Sequence, residues 1–125
     1  MNESLDSFKQ LNIMKNSLTC GSSITMYYIG GKWKAAILWY LMEKKQRFTD
    51  LKKLIPQMTD RTLSIQLKKL EEDNIIKREV FTKKPPLKVE YSLTDFGKTL
   101  IPVLKVLSDW GTELKTSEKY PIKEL

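Results

Sequence analysis

Histidine is absent from the 125 residues, and cysteine occurs once. Without histidine the chain lacks the commonest general base, the Ser-His and Cys-His nucleophile pairs and the commonest metal ligand. A single cysteine gives no internal disulfide framework and no CxxC pair, which fits a reducing cytoplasm. No apolar run approaches the roughly 20 residues that a membrane span needs. The N-terminus also lacks the cationic start and apolar stretch of a secretion signal. Gly30-Gly31 is no phosphate loop, because the other glycines and a Gly-Lys-Ser/Thr sequence are missing. Glu71, Glu72 and Asp73 fall at a helix end and read as solvated surface. The chain is therefore read as not an enzyme, with no catalytic residues, no metal and no cofactor.

Positive charge is what the chain has in excess: net +7, with a pI near 9.4. An anionic partner is favoured, although a generically basic soluble protein would show the same total. Distribution says more. Positions 44, 45, 47, 52, 53, 61, 68 and 69 are Lys or Arg, against acids at 50 and 60 only, a local balance of +6. The length suits one domain with a modest core, a size that often completes its burial by dimerising. Residues 1–18 read as an arm with a weak Leu5, Phe8, Leu11 spacing. Residues 19–115 read as the domain, and residues 116–125 as a polar tail.

The local patterns form an ordered series. Thr25 to Tyr28 suggests a short helix leading into Gly30-Gly31. Lys32 to Met42 is apolar almost all round and should be the central buried helix, with Trp33, Ile37 and Leu41 on one stripe. Thr49 can cap a short helix, Asp50 to Ile55, with Leu51, Leu54 and Ile55 inward and Pro56 as its stop. Thr59 caps the next, with Asp60 at the positive end of its dipole. Two short helices across a tight turn are a helix-turn-helix pattern. On the second, Leu63, Leu67 and Leu70 share the inner face. Arg61, Ile65 and Lys68 lie opposite, flanked by Ser64 and Lys69. An exposed isoleucine among cations suits a thymine methyl.

Ile75 to Phe81 and Leu87 to Leu93 alternate as strands. The loop between them carries Lys83 and Lys84 at its tip, and Lys88 follows it. Pro85-Pro86 should stiffen the loop in an extended form. Thr94 caps the last helix, with a break expected between Gly97 and Pro102, which costs one backbone hydrogen bond. Leu100, Val103, Leu107, Trp110 and Leu114 form a heptad-like seam, and Ile101 and Leu104 a second stripe. The seam exceeds what one small domain can cover and suggests a dimer interface, with help from the segment around Tyr27 and Tyr28. The fold class is α+β, mostly α: a winged helix-turn-helix with a two-stranded wing and a C-terminal dimerisation helix.

Gly30-Gly-Lys-Trp-Lys, Arg47-Phe, Leu67-Lys-Lys-Leu-Glu-Glu-Asp, Pro85-Pro and Val89-Glu-Tyr-Ser-Leu-Thr with Gly97 resemble the HxlR-type winged helix-turn-helix regulators of bacteria. The likeness covers about residues 20–112. It implies a cytoplasmic homodimeric transcription factor of MarR-like shape, dimerised through its N- and C-terminal helices. It also implies that Thr59 to Asp73 is the recognition helix. Some such regulators sense electrophiles or oxidants at a cysteine before the first core helix, usually followed by proline. Cys20 stands there, but with Gly21 in place of the proline. The stretch from Val80 to Val89 is one residue longer than the family pattern, and Leu87-Lys88 stands where an arginine is common. Cys20 then has two readings, a sensor or an inert packed thiol.

The expected function is sequence-specific regulation of transcription by a homodimer on an inverted repeat. The expected contacts are Thr59, Arg61, Ser64, Ile65, Lys68 and Lys69 in the recognition helix, and Lys83, Lys84 and Lys88 in the wing. The expected partners are double-stranded DNA, a second copy of the chain, and a small-molecule or oxidant effector; no membrane is expected. The rival reading is a winged-helix protein-interaction module without DNA readout.

Overall fold

Thr59 begins the helix around which the fold is organised. In the computed structural model, which describes residues 20–120, its hydroxyl accepts a hydrogen bond from the Thr62 amide at 3.1 Å. This satisfies one of the amides that a helix start leaves bare. The predicted N-terminal arm, with Leu5, Phe8 and Leu11, lies outside the described residues, as do residues 121–125 of the tail.

The chain divides into two units, Met1–Lys32 and Trp33–Leu125. The described part of the first holds one helix, α1 (Gly21–Ile29), longer than the predicted Thr25 to Tyr28. Thr25 lies inside it, donating its hydroxyl to the Gly21 carbonyl at 3.1 Å. The helix starts at Cys20, which stands in extended backbone at the N-cap. Gly31, at φ +97°, then turns the chain through a region that only glycine enters freely.

The second unit runs α2 (Lys34–Glu43), α3 (Phe48–Leu54), α4 (Asp60–Glu72), β1 (Ile76–Val80), β2 (Val89–Leu93), α5 (Asp95–Lys98) and α6 (Ile101–Thr116). α2 is the predicted central helix. Ile37, Leu38 and Leu41 are buried, and it packs against α3, β2 and α6. α3 starts two residues earlier than Thr49 suggested. The Asp50 carboxylate reaches back to accept the Arg47 amide at 2.9 Å, so Arg47 holds the cap position and Thr49 falls in the first turn. Rotation of the helix puts Leu51 and Ile55 inside but leaves Leu54 exposed, contrary to expectation.

α4 buries Leu63, Leu67 and Leu70, the three leucines expected inside. It ends at Asn74, whose φ of 59° is left-handed. The Asn74 amide bonds to the Glu71 carbonyl at 3.0 Å and the Ile75 amide to the Leu70 carbonyl at 2.9 Å. This paired closure stops the helix and aims the chain into β1. β1 and β2 pair antiparallel, with Ile76 opposite Leu93 and Val80 opposite Val89.

The last predicted helix is two. Thr94 caps α5 by accepting the Gly97 amide at 2.9 Å. The same hydroxyl donates to the Asn74 carbonyl at 2.7 Å, tying the end of β2 to the turn after α4. α6 follows after the expected break. Pro102 lies in its first turn, where its missing N–H has no partner to lose. The expected loss of a hydrogen bond therefore does not arise. Leu104 is buried, and α6 packs on α2. No helix among the described residues is long and apolar enough to cross a membrane.

Candidate nucleic-acid interface

The buried leucines fix the rotation of α4, and that rotation decides what the opposite face shows. Thr59, Arg61, Ser64, Lys68 and Lys69 are exposed, and Ile65 is 41% exposed among them. One face thus carries three cations, two hydroxyls and one apolar side chain, without an acid between Arg61 and Lys69.

Lys52 belongs elsewhere. It is one of the clustered cations, yet its Nζ lies 3.4 Å from Asp60 Oδ1 and also donates to the Met58 carbonyl. Its side chain is 28% exposed. The charge of Lys52 is used inside the helix-turn-helix, tethering α3 to the turn and first residue of α4. The raw cationic count therefore overstates the charge offered to a partner.

The wing projects Lys83 and Lys84, both exposed and without an ion pair among the described residues. Lys88 lies 3.9 Å from Glu90, and Lys77 lies 3.4 Å from Glu79. Such exposed pairs are weak, but they lower the charge that Lys88 presents. Residues 83–86 bend, so the loop is not the extended spacer that was expected; the Pro85–Pro86 bond is cis. Replacing Lys83 and Lys84 together by glutamine should reduce the salt slope of DNA binding by about two units, and Lys88→Gln by less than one. Titrations at several salt concentrations measure this. An unchanged slope would remove the wing from the interface.

Two wing supports were not expected. Gln46, 4% exposed, exchanges both backbone hydrogen bonds with Tyr91: its amide donates at 3.0 Å and its carbonyl accepts at 2.8 Å. Its side-chain amide reaches the Tyr40 carbonyl at 3.4 Å. The residue before the α3 cap is thereby stitched to β2, so the wing and the helix-turn-helix share one frame. Lys45 Nζ lies 5.8 Å from the Phe81 ring centroid, within cation–π range. A single bridging residue has no periodicity, and a polar Gln46 between Lys45 and Arg47 reads as loop.

The α6 seam divides. Leu100 caps the helix from outside and is half-buried. Val103 and Leu114 are half-buried, Leu107 is 42% exposed and Trp110 is 68% exposed. Val106, which sequence spacing did not single out, is 67% exposed. Trp110 and Leu114, with Glu113, Ser117 and Tyr120, line an open groove of ≈ 480 Å³. In the first unit, Tyr27 packs edge-on to Tyr28 with ring centroids 5.1 Å apart. Tyr28 is 8% exposed within one chain, so it has little surface left for the partner contact expected of it.

Cys20 is exposed in the single chain rather than packed within it. Its Sγ lies 3.3 Å from Ser23 Oγ. Hydrogen bonding from Ser23 holds the thiol below its ordinary pKa and so favours the thiolate. Asp73 is half-buried rather than solvated, and burial raises its carboxyl pKa, with Lys34 opposing.

Residues 28–119 match the HxlR-like helix-turn-helix family. The chain belongs to that family. It carries the winged helix-turn-helix of DNA-binding transcriptional regulators. Among its relatives is the HTH-type transcriptional regulator YdeP of Bacillus subtilis (strain 168). The two are 49% identical over 96 residues, 77% of this chain and 74% of YdeP. The redox regulator HypR in its oxidised form is 41% identical with a TM-score of 0.71, covering 75% of this chain and 96% of HypR. In its reduced form HypR is 39% identical with a TM-score of 0.73, covering 78% and 95%.

Proposed function

We propose that the chain regulates transcription as a homodimer that reads an inverted repeat in double-stranded DNA. The outer face of α4 carries the proposal: Arg61, Ser64, Ile65 and Lys68 stand exposed on a helix whose rotation is locked by buried leucines. A helix of this kind fits the major groove, where guanine offers two acceptors to an arginine and thymine a methyl to an isoleucine. Thr59 and Lys69 flank the face and suit the phosphates. Two such helices, related by a two-fold axis, would sit about one DNA turn apart, roughly 34 Å. The exposed α6 side chains supply the surface for that axis.

Selection of bound duplexes from random DNA tests this reading, with an inverted repeat as the expected result. Arg61→Ala should then weaken binding to the selected duplex by ~1–3 kcal/mol and binding to random duplex much less. Equal losses on both would make Arg61 a phosphate contact. Absence of any selected sequence would favour a protein-interaction module.

The exposed, thiolate-favouring Cys20 supports a second element, control by oxidants or electrophiles, and HypR is a redox regulator of the same fold. With one cysteine per chain, the chemistry is a bridge between two subunits, a mixed disulfide or an adduct. In the bridge, two thiols give two electrons and two protons to hydrogen peroxide, which leaves as two waters. In the adduct, the thiolate adds to an electrophile such as a quinone. A tenfold change in DNA affinity needs only ~1.4 kcal/mol of difference between modified and free protein. Peroxide or quinone should shift the DNA affinity of the wild type and leave Cys20→Ser unmoved. An equal response in both would clear Cys20 of the role.

A further inference from the structure

The wing holds one apolar side chain in an unusual way. Thr82 Oγ1 accepts the Lys88 amide at 2.9 Å and donates to the Pro86 carbonyl at 3.2 Å. Those two groups belong to the peptide bonds on either side of Leu87. A further bond, Phe81 amide to Lys88 carbonyl at 2.8 Å, closes the loop behind it. Leu87 is thus fixed through its backbone on both sides, while its side chain is 51% exposed. Scattered surface leucines need no explanation. A leucine clamped in place by one threonine, next to two exposed prolines and facing nothing within the second unit that buries it, is pre-organised for something outside.

Its surroundings indicate what. Lys83, Lys84 and Lys88 flank it, and Lys83 and Lys84 are unpaired among the described residues. An apolar side chain at the base of a lysine-bearing loop, with Lys88 next to it in sequence, would repel a basic partner and is too small to bury a protein surface. It matches a narrow groove walled by phosphates: cations hold the rims and the apolar group enters between them. Resting on the DNA reading proposed above, we infer that Leu87, backed by Pro86, is an apolar wedge that enters the minor groove beside the recognition site and loosens a base step there. The wing would then read the deformability of the flanking sequence rather than its hydrogen-bond pattern, favouring flexible pyrimidine–purine steps. No arginine is needed at this point for the wing to contribute specificity.

The test uses the full chain and duplexes selected by it from random sequence, carrying end-to-end fluorophores or 2-aminopurine at successive flanking positions. Wild type should bend the duplex and raise 2-aminopurine fluorescence at one flanking step in each half. Leu87→Ala should bind about 10- to 100-fold more weakly, with the bend and the fluorescence rise lost and the salt slope unchanged. Leu87→Met should retain both signals, and Thr82→Val should lose part of each. Leu87 is 51% exposed, so Leu87→Ala should fold as wild type does, and its thermal melt checks this. If wild type binds DNA while Leu87→Ala matches it in affinity and bend, the wedge is overturned and the DNA reading stands. If wild type binds no duplex at all, both fall together.

Discussion

Gly97→Ala is expected to destabilise the fold by about 4 kcal/mol or more, the range reserved for severe steric or network damage. A Cβ at this position would lie 2.0 Å from the Ile75 carbonyl oxygen and 3.1 Å from its carbon. The obstruction is backbone, and that backbone is held. The Ile75 carbonyl accepts the Thr94 amide at 3.0 Å and shares the Thr94 hydroxyl, 3.1 Å away, with the nearer Asn74 carbonyl. The Ile75 amide is engaged with Leu70 at the end of α4, and the Ile75 side chain is fully buried. Relief would require moving α5 off the strand or opening the turn after the recognition helix. In an unconstrained helix the same change would stabilise by about 1 kcal/mol, so even the sign is diagnostic. Urea unfolding measures it as a fall in midpoint at constant slope. A variant as stable as wild type would show that α5 does not press on Ile75 as described. DNA binding should fall as well, because Ile75 is the residue through which α4 enters the sheet.

The same region shows which features a sequence declares. Thr59, Thr94 and the leucines of α4 were legible because capping and helical periodicity are local: each signal lies within a few residues of the structure it specifies. The wing strands were legible for the same reason, to within one or two residues at their ends. Gln46 was not, since its partner Tyr91 is distant in the chain and one bridging residue leaves no pattern. Lys52 was misread by charge alone, because only the fold brings Asp60 and the Met58 carbonyl to its ammonium. Thr49 lost the cap to Arg47 because the side chain of Asp50, three residues on, decided where the helix begins. Within the α6 seam, spacing identified an apolar face. It could not say that Leu104 turns inward on α2 while Val106 and Trp110 stay outside. Local rules thus gave the recognition helix nearly whole, and long-range contacts supplied what positions it.

Trp110→Glu, combined with Val106→Glu, is expected to leave each subunit folded and to abolish assembly. Trp110 is 68% and Val106 67% exposed in the single chain, so neither contributes much to the packing of its own domain. In a two-fold assembly the helix meets its own copy, and the substitution sets carboxylates against carboxylates where an indole was buried. Sedimentation should show wild type at twice the 14.6 kDa chain mass and the double variant at that mass itself. Wild-type thermal stability should rise with protein concentration, since association adds to it by mass action, whereas the variant's should not. DNA affinity for an inverted repeat should fall by about 10²–10⁴-fold, because the second recognition helix no longer arrives at the effective concentration set by the first. Binding to a single half-site should change little, as Arg61, Ser64, Ile65 and Lys68 are untouched. A wild type that sediments as a monomer and stays so on DNA would remove the two-fold axis. Each recognition helix would then read its site alone, and the exposed face of α6 would need another partner.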